Sequence, residues 1–384
     1  MHNMTNKILF LGLHNSAKSG VVRVQKELTK ALQKRNYFVD NLAIPSDSSV
    51  LKSGHELNTN QGEIIKLNNI EDFFKKIEQQ KPYDIIHSHS WAWAPLMKKE
   101  YSIDKIIDQI TKKHEAPKII HTIHSFIEEE YPYHKSLIGL ADITTILSSA
   151  KEEELKQKTY GEKTNYTVIP NMVLNTKPSN KLVRELKQKI NPENEKILLY
   201  VGRLEKEKGI YEFSNAISEI YKTNKDFKVL IVGASSNGNQ CEEKMKKILT
   251  KPIQDNKIIF TGWVPEKEIS LYQQISDLQI TPSYTEAFNL SIPQGILNDC
   301  TQAISNIPTL QEIYNLDSNL PLALSFLPKN TNSLIKTIKT FLHDPAQYDA
   351  LKKRAKLEIN NNYSEEKIVQ QYINIYNQIL NSKK

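Results

Sequence analysis

Cysteine is nearly missing from this chain. Only two occur in 384 residues, Cys241 and Cys300, far apart and without a metal-like spacing. A disulfide framework and a zinc site are therefore not expected, and a reducing cytoplasm is the simplest setting. Long apolar runs are missing too. No stretch approaches the roughly 20 apolar residues that span a bilayer. The opening residues, M-H-N-M-T-N-K-I-L-F-L-G-L, are too short and too polar in front for a secretory signal. Ile8 to Leu13 reads better as a buried parallel strand. There is no internal repeat, no long low-complexity tract, no G-x-G-x-x-G and no G-K-[ST].

What is there is the composition of an ordinary soluble protein, 39% hydrophobic and 25% charged. The chain is long enough for two domains, each with its own core. The net charge of +7 suits an anionic ligand or an anionic membrane surface. Much of that charge is lysine scattered on helix faces, which usually serves solvation.

In the first half, strand-like segments alternate with helical ones. Strands are expected at Ile8 to Leu13, Tyr37 to Ala43, Tyr83 to His87, Lys118 to Thr122, Ala141 to Leu147 and Thr167 to Pro170. Helices are expected at Val21 to Gln33, Asp72 to Gln80 and Ile103 to Lys113. That alternation argues for a parallel sheet with helices on both faces. The loop His14 to Gly20 ends in a glycine at a helix start, where an anion can bind. A plain turn glycine fits as well. Four histidines fall at two strand ends, His87 with His89 and His121 with His124. Metal binding is the minority reading; one ring facing a cleft as a donor, with the others packed, is the better one. Trp91 and Trp93 suit a hydrophobic lid, and aromatics beside polar strand-end residues also suit a sugar ring. The lysine-rich segment from Lys98 to Lys118 reads as a solvated helix face, since Glu100, Asp104, Asp108 and Glu115 interrupt it.

The segment Leu174 to Asn194 holds Asn175, Pro178, Ser179, Asn180 and Pro192 around a short charged helix. It is the expected domain boundary. A second α/β run follows, with strands at Lys196 to Val201, Phe227 to Gly233, Lys257 to Thr261 and Leu278 to Thr281. Between the glycines Gly202 and Gly209 stand Arg203 and Lys208. An arginine fork and a lysine point charge can neutralise a diphosphate. The plainer reading is a charged surface turn in which Glu205 and Glu207 pair with both cations. After the strand Leu278 to Thr281 comes P-S-Y-T-E-A-F-N-L-S-I-P-Q. Thr285 is a candidate cap for a new helix or turn. Glu286 then sits at the carboxyl end of a strand, where α/β sheets place ligands. Gln294 follows after seven intervening residues, about two helical turns on. Spacing alone favours a solvated acid and a helix-surface amide over a ligand grip. The chain ends in helices, the last from Glu365 to Leu380, with an apolar stripe of Ile368, Tyr372, Ile375, Tyr376 and Leu380.

Taken in order, several stretches resemble retaining nucleotide-sugar glycosyltransferases of the GT-B fold, family four. Y-V-G-R-L-E-K-E-K-G-I is similar to that family's G-R-L-x-x-x-K-G loop. F-T-G-W-V-P-E-K-E-I-S-L-Y is similar to its middle-strand motif. A-D-I-T-T-I-L-S-S with V-I-P-N-M-V resembles the end of its first domain. P-S-Y-T-E-A-F-N-L-S-I-P-Q resembles its E-x7-E region. The resemblance covers nearly the whole chain.

The resemblance implies two Rossmann-like α/β domains facing across a cleft. These are an acceptor-side domain at 1–174, a linker at 175–194 and a nucleotide-sugar domain at 195–364. A terminal helix at 365–384 would cross back to the first domain. It implies a hexosyl- or related glycosyltransferase, transferring with retention from a nucleoside-diphosphate sugar, UDP-sugar foremost. The acceptor would be a cell-surface glycan, lipid carrier or protein. No cofactor, metal or nucleic acid is implied. The setting would be cytoplasmic, with peripheral contact at the inner membrane face. A catalytically weak scaffold subunit is the alternative.

By that resemblance Arg203 and Lys208 would hold the diphosphate, and Gly20 and Gly202 would allow close backbone approach. Glu286 would contact the transferred sugar, and His124 would lie near the reacting centre. Asn289 and Leu290 would offer backbone amides to phosphate. Gln294 would take the place of a glutamate on the donor ribose. The sequence departs from the family at Gln294, at Asn289 and Met172 where glycine is usual, and at Asp299 and Thr301. The paired glycine of the first loop is reduced to Lys18, Ser19 and Gly20.

Overall fold

A computed structural model of the chain describes residues 6–13, 20–44, 55–67, 72, 75, 82–89, 117–124, 131–152, 155–156, 166–191, 193–235, 238 and 240–382. The chain divides into two compact units. Residues 1–172 with 365–384 form one, and residues 173–364 form the other.

The first unit is built on an eight-stranded sheet of order β4-β3-β2-β1-β5-β6-β7-β8. Its strands are β1 (Lys7–Leu13), β2 (Phe38–Ile44), β3 (His55–Asn58), β4 (Ile64–Leu67), β5 (Ile85–Ser88), β6 (Lys118–Ile123), β7 (Ile143–Ile146) and β8 (Tyr166–Val168). The expected parallel sheet is observed from β2 to β8. The hairpin β3–β4 joins it antiparallel, which the sequence reading missed. H-E-L-N is short and mostly polar, so it lacks the apolar run that marks a buried parallel strand.

Helix α1 (Gly20–Gln33) lies against β1 and β2. It buries Val22, Val24, Leu28 and Leu32 on one stripe, each side chain worth roughly 1.5–3 kcal/mol of transfer free energy. The last helix, Glu365–Asn381, belongs to this unit and contacts α1. Its buried face carries Ile368, Val369, Tyr372, Ile375, Tyr376 and Ile379. The expected helix at Ile103 to Lys113 lies outside the described residues. So do Trp91, Trp93, Lys18, Ser19 and nearly all of Asp72 to Gln80 and Lys98 to Lys118.

The second unit holds a six-stranded parallel sheet of order β11-β10-β9-β12-β13-β14. The strands are β9 (Lys196–Val201), β10 (Phe227–Val232), β11 (Ile258–Gly262), β12 (Leu278–Thr281), β13 (Thr301–Ser305) and β14 (Leu324–Phe326). Both units therefore have the α/β, Rossmann-like design. Helix α2 (Asn180–Ile190) was expected as part of a linker. It is instead part of this unit, where Val183, Leu186 and Ile190 pack on Ile197, Leu199 and Leu230. Its apolar stripe needs a surface to cover, and the outer face of β9 and β10 supplies one. Helix α3 (Ile210–Tyr221) covers the opposite face through Phe213, Ile217 and Ile220.

Aspartates fix the amino ends of neighbouring strands in both sheets. Asp84 accepts from Lys7 N at 2.7 Å, Asp142 from Ile119 N at 2.8 Å and Asp277 from Ile197 N at 2.9 Å. Each carboxylate satisfies a strand-end donor that would otherwise lack a partner.

Candidate functional site

In the second sheet the strand order reverses between β9 and β12. Ligands of open α/β sheets sit outside the carboxyl ends of strands at such a switch point. The loops that follow those two strands are the ones the sequence singled out.

The loop after β9 is held at many points. Gly202 N donates to Val232 O at 3.0 Å and Leu204 N to Ala234 O at 3.1 Å. The Tyr200 hydroxyl donates to Arg203 O at 2.7 Å, and Ser235 Oγ to Leu204 O at 2.8 Å. A short 3-10 turn, Lys206–Lys208, then ends at Gly209, whose φ of 67° is left-handed. A Cβ at Gly209 would stand 1.9 Å from Pro282 O. Only glycine allows both that φ and that approach. The loop after β12 is joined to this turn by Tyr284 N donating to Glu207 O at 2.9 Å.

These backbones bring Lys208 to Glu286, with Nζ 2.8 Å from Oε1. The Lys208 side chain is 20% exposed and that of Glu286 only 8%. Expecting Glu205 and Glu207 to pair with both cations is half right. Among the described residues both acids pair with Arg203, whose guanidinium lies 2.5 Å from Glu205 and 3.7 Å from Glu207, while Lys208 pairs with Glu286. Arg203 is 43% exposed. Glu207 is held above the usual carboxylate range, first by its hydrogen bond with Glu205 and then by burial.

Helix α4 (Ser291–Leu297) begins later than the sequence suggested. Thr285 is exposed and lies in the loop, six residues ahead of it, so it is not the cap. The role passes to Asn289, whose Oδ1 accepts from Ser291 N at 3.1 Å. Leu290 stands just before the helix in helical geometry. Gln294 lies within α4 and is buried, rather than on the helix surface. Below α4 is a buried amide network: Gln273 Nε2 donates to Gln279 Oε1 at 3.0 Å and to Ser291 O at 2.8 Å. Asn298 Nδ2 donates to Gln273 Oε1 at 3.1 Å. The sequence reading missed these residues. The signal was the presence of Gln273 and Gln279 at otherwise apolar positions.

Two expected residues belong to the first unit. Gly20 opens α1, and a Cβ there would meet nothing within 4 Å, so packing among the described residues does not require glycine. His124 follows β6, half-buried, with Nε2 3.2 Å from His89 Nδ1. His87 is fully buried between the Tyr376 hydroxyl at 2.8 Å and Thr122 Oγ1 at 2.7 Å. Burial holds both His87 and His89 well below the usual imidazole range, so both rings are neutral. Among the described residues, no group of three or more His, Cys, Asp or Glu is arranged to hold a metal ion. No helix among them is long and apolar enough to cross a membrane.

The comparisons agree with this architecture. The fold is that of two-domain GT-B structures. Sucrose-phosphate synthase of Thermosynechococcus elongatus matches with a TM-score of 0.77 at 18% identity, over 97% of this chain and 99% of that one. Anabaena HepE in complex with UDP-glucose matches with a TM-score of 0.76 at 16% identity, over 97% and 99%.

Residues 183–358, within the second unit, match the family model described as glycosyl transferases group 1. Alpha-monoglucosyldiacylglycerol synthase of Acholeplasma laidlawii is 25% identical over 59% of this chain and 59% of its own. The chain spans only about half the length of the first curated relatives that it matches, from 45% to 59%.

Proposed function

We propose that the protein is a glycosyltransferase that moves a sugar from a nucleoside-diphosphate sugar to an acceptor hydroxyl. The observation that carries this reading is the Lys208–Glu286 pair at the switch point of the second sheet. A cation for phosphate and a carboxylate for sugar hydroxyls stand side by side there, with Arg203 on the same loop. Donor binding is assigned to the second unit and acceptor binding to the first, with His124 near the reacting carbon.

In the proposed reaction the anomeric C–O bond of the donor breaks, and Arg203 and Lys208 neutralise the charge growing on the diphosphate. The acceptor oxygen forms the new C–O bond on the same face, with retention. Its proton passes to the departing phosphate oxygen. No carboxylate nucleophile is then needed, in contrast to retaining glycosidases. The two fixed cations supply the countercharge that a metal would bring. UDP is the expected nucleotide. The product would be a glycolipid, polysaccharide or glycoprotein of the cell surface, made at the cytoplasmic face of the membrane. The relative named alpha-monoglucosyldiacylglycerol synthase and the UDP-glucose-bound neighbour support these choices.

A second reading, a scaffold subunit with weak turnover, is favoured by Gln294. It is buried and uncharged where the resemblance sets a ribose-binding glutamate, and a neutral acceptor is weaker than an ionised one. Thermal-shift assays with UDP, GDP and ADP test the main reading. One of them is expected to raise the melting temperature, because binding by mass action adds about 2.7 kcal/mol of stability at a hundredfold excess over Kd. The rise is expected to vanish in Lys208→Ala. No shift with any nucleoside diphosphate contradicts the proposal.

A further inference from the structure

We propose that the Asn289 side chain is a positioning residue that fixes the carboxylate of Glu286 against Lys208. The inference rests on the reading above, in which Glu286 contacts the transferred sugar. It goes beyond the backbone role that the resemblance gives to Asn289.

The geometry assigns the Asn289 amide without ambiguity. Its Nδ2 stands 2.9 Å from Glu286 Oε1, the same oxygen that Lys208 reaches. Its Oδ1 stands 3.1 Å from Ser291 N and 2.8 Å from Ser291 Oγ. A backbone N–H can only donate, and an ionised carboxylate can only accept. Both ends therefore demand the same orientation of the amide. Ser291 Oγ is in turn 3.4 Å from Gln279 Nε2, and Gln279 Oε1 accepts from Gln273. A line of hydrogen bonds thus runs from the buried amides under α4 to the carboxylate.

The backbone at Asn289 has a φ of 62°. Glycine adopts that conformation freely, and asparagine is among the few other residues that tolerate it. Glycine would keep the turn and lose both side-chain links. Aspartate would keep the link to Ser291 and set a second carboxylate against Glu286. Asparagine alone satisfies the turn, the helix start and the acid together.

The test compares wild type, Asn289→Gly and Asn289→Asp. Crystal structures of wild type and Asn289→Gly read the geometry directly. The Glu286 carboxylate is expected in one rotamer against Lys208 in wild type, and displaced or split in the variant. An unmoved carboxylate overturns the proposal. Kinetics read the consequence. Asn289→Gly is expected to lower kcat at least tenfold while the thermal shift with UDP stays within a degree of wild type. Asn289→Asp is expected to lower kcat further, because it sets a second carboxylate against Glu286. Wild-type kcat in both variants also overturns it. If wild type itself transfers no sugar from any nucleotide donor, the functional reading fails, and the crystal structures still decide the role of Asn289.

Discussion

His87 and His89 are neutral because burial disfavours their charged forms. In the unfolded chain they titrate near 6.5. The sign follows: below about pH 6.5 the unfolded state binds more protons, so stability falls as pH falls. The loss should approach about 1.4 kcal/mol per pH unit for each histidine. Urea unfolding between pH 7.5 and 5 measures it, and His89→Leu should reduce the slope by the share of one histidine. A slope unchanged in the variant would show that His89 titrates alike in both states. The strand-end placement of these histidines was legible in the sequence. Their burial was not, because the partner of His87 is Tyr376, 289 residues away. The same holds for Lys208. Two acids lie beside it in the chain, yet its partner is Glu286, 78 residues on.

At the scale of elements, strands written as apolar runs were plain to read. K-I-L-L-Y-V and L-Q-I-T fall where the periodicity sets them. β13, T-Q-A-I-S, was missed although all five residues are buried. Gln302 Nε2 donates to Cys300 O at 2.9 Å, but its buried Oε1 has no partner among the described residues, so this polar side chain sits in the strand at a cost. The start of α4 was misjudged too. Thr285 comes first in the chain and can cap, but the chain first makes a left-handed turn at Asn289. Turn geometry also makes Gly209 a sensitive position. Gly209→Ala should destabilise the second unit by at least about 2 kcal/mol, since the left-handed strain of 1–3 kcal/mol adds to the clash with Pro282 O. The urea midpoint checks this, and a change below about 0.5 kcal/mol would mean that the two loops part easily.

For the whole molecule, the sequence announced two α/β units and a returning terminal helix, and the described structure divides accordingly. The boundary differs because α2 covers one face of the second sheet instead of bridging. The donor side carries the account. Its central claim is that Arg203 and Lys208 stabilise charge on a departing diphosphate. The most direct measurement is the turnover of Arg203→Ala and Lys208→Ala with a UDP-sugar donor that the wild type uses. The account predicts a fall in kcat/KM of at least about 30-fold in each, equivalent to about 2 kcal/mol of transition-state stabilisation. Turnover close to wild type in both variants would contradict it.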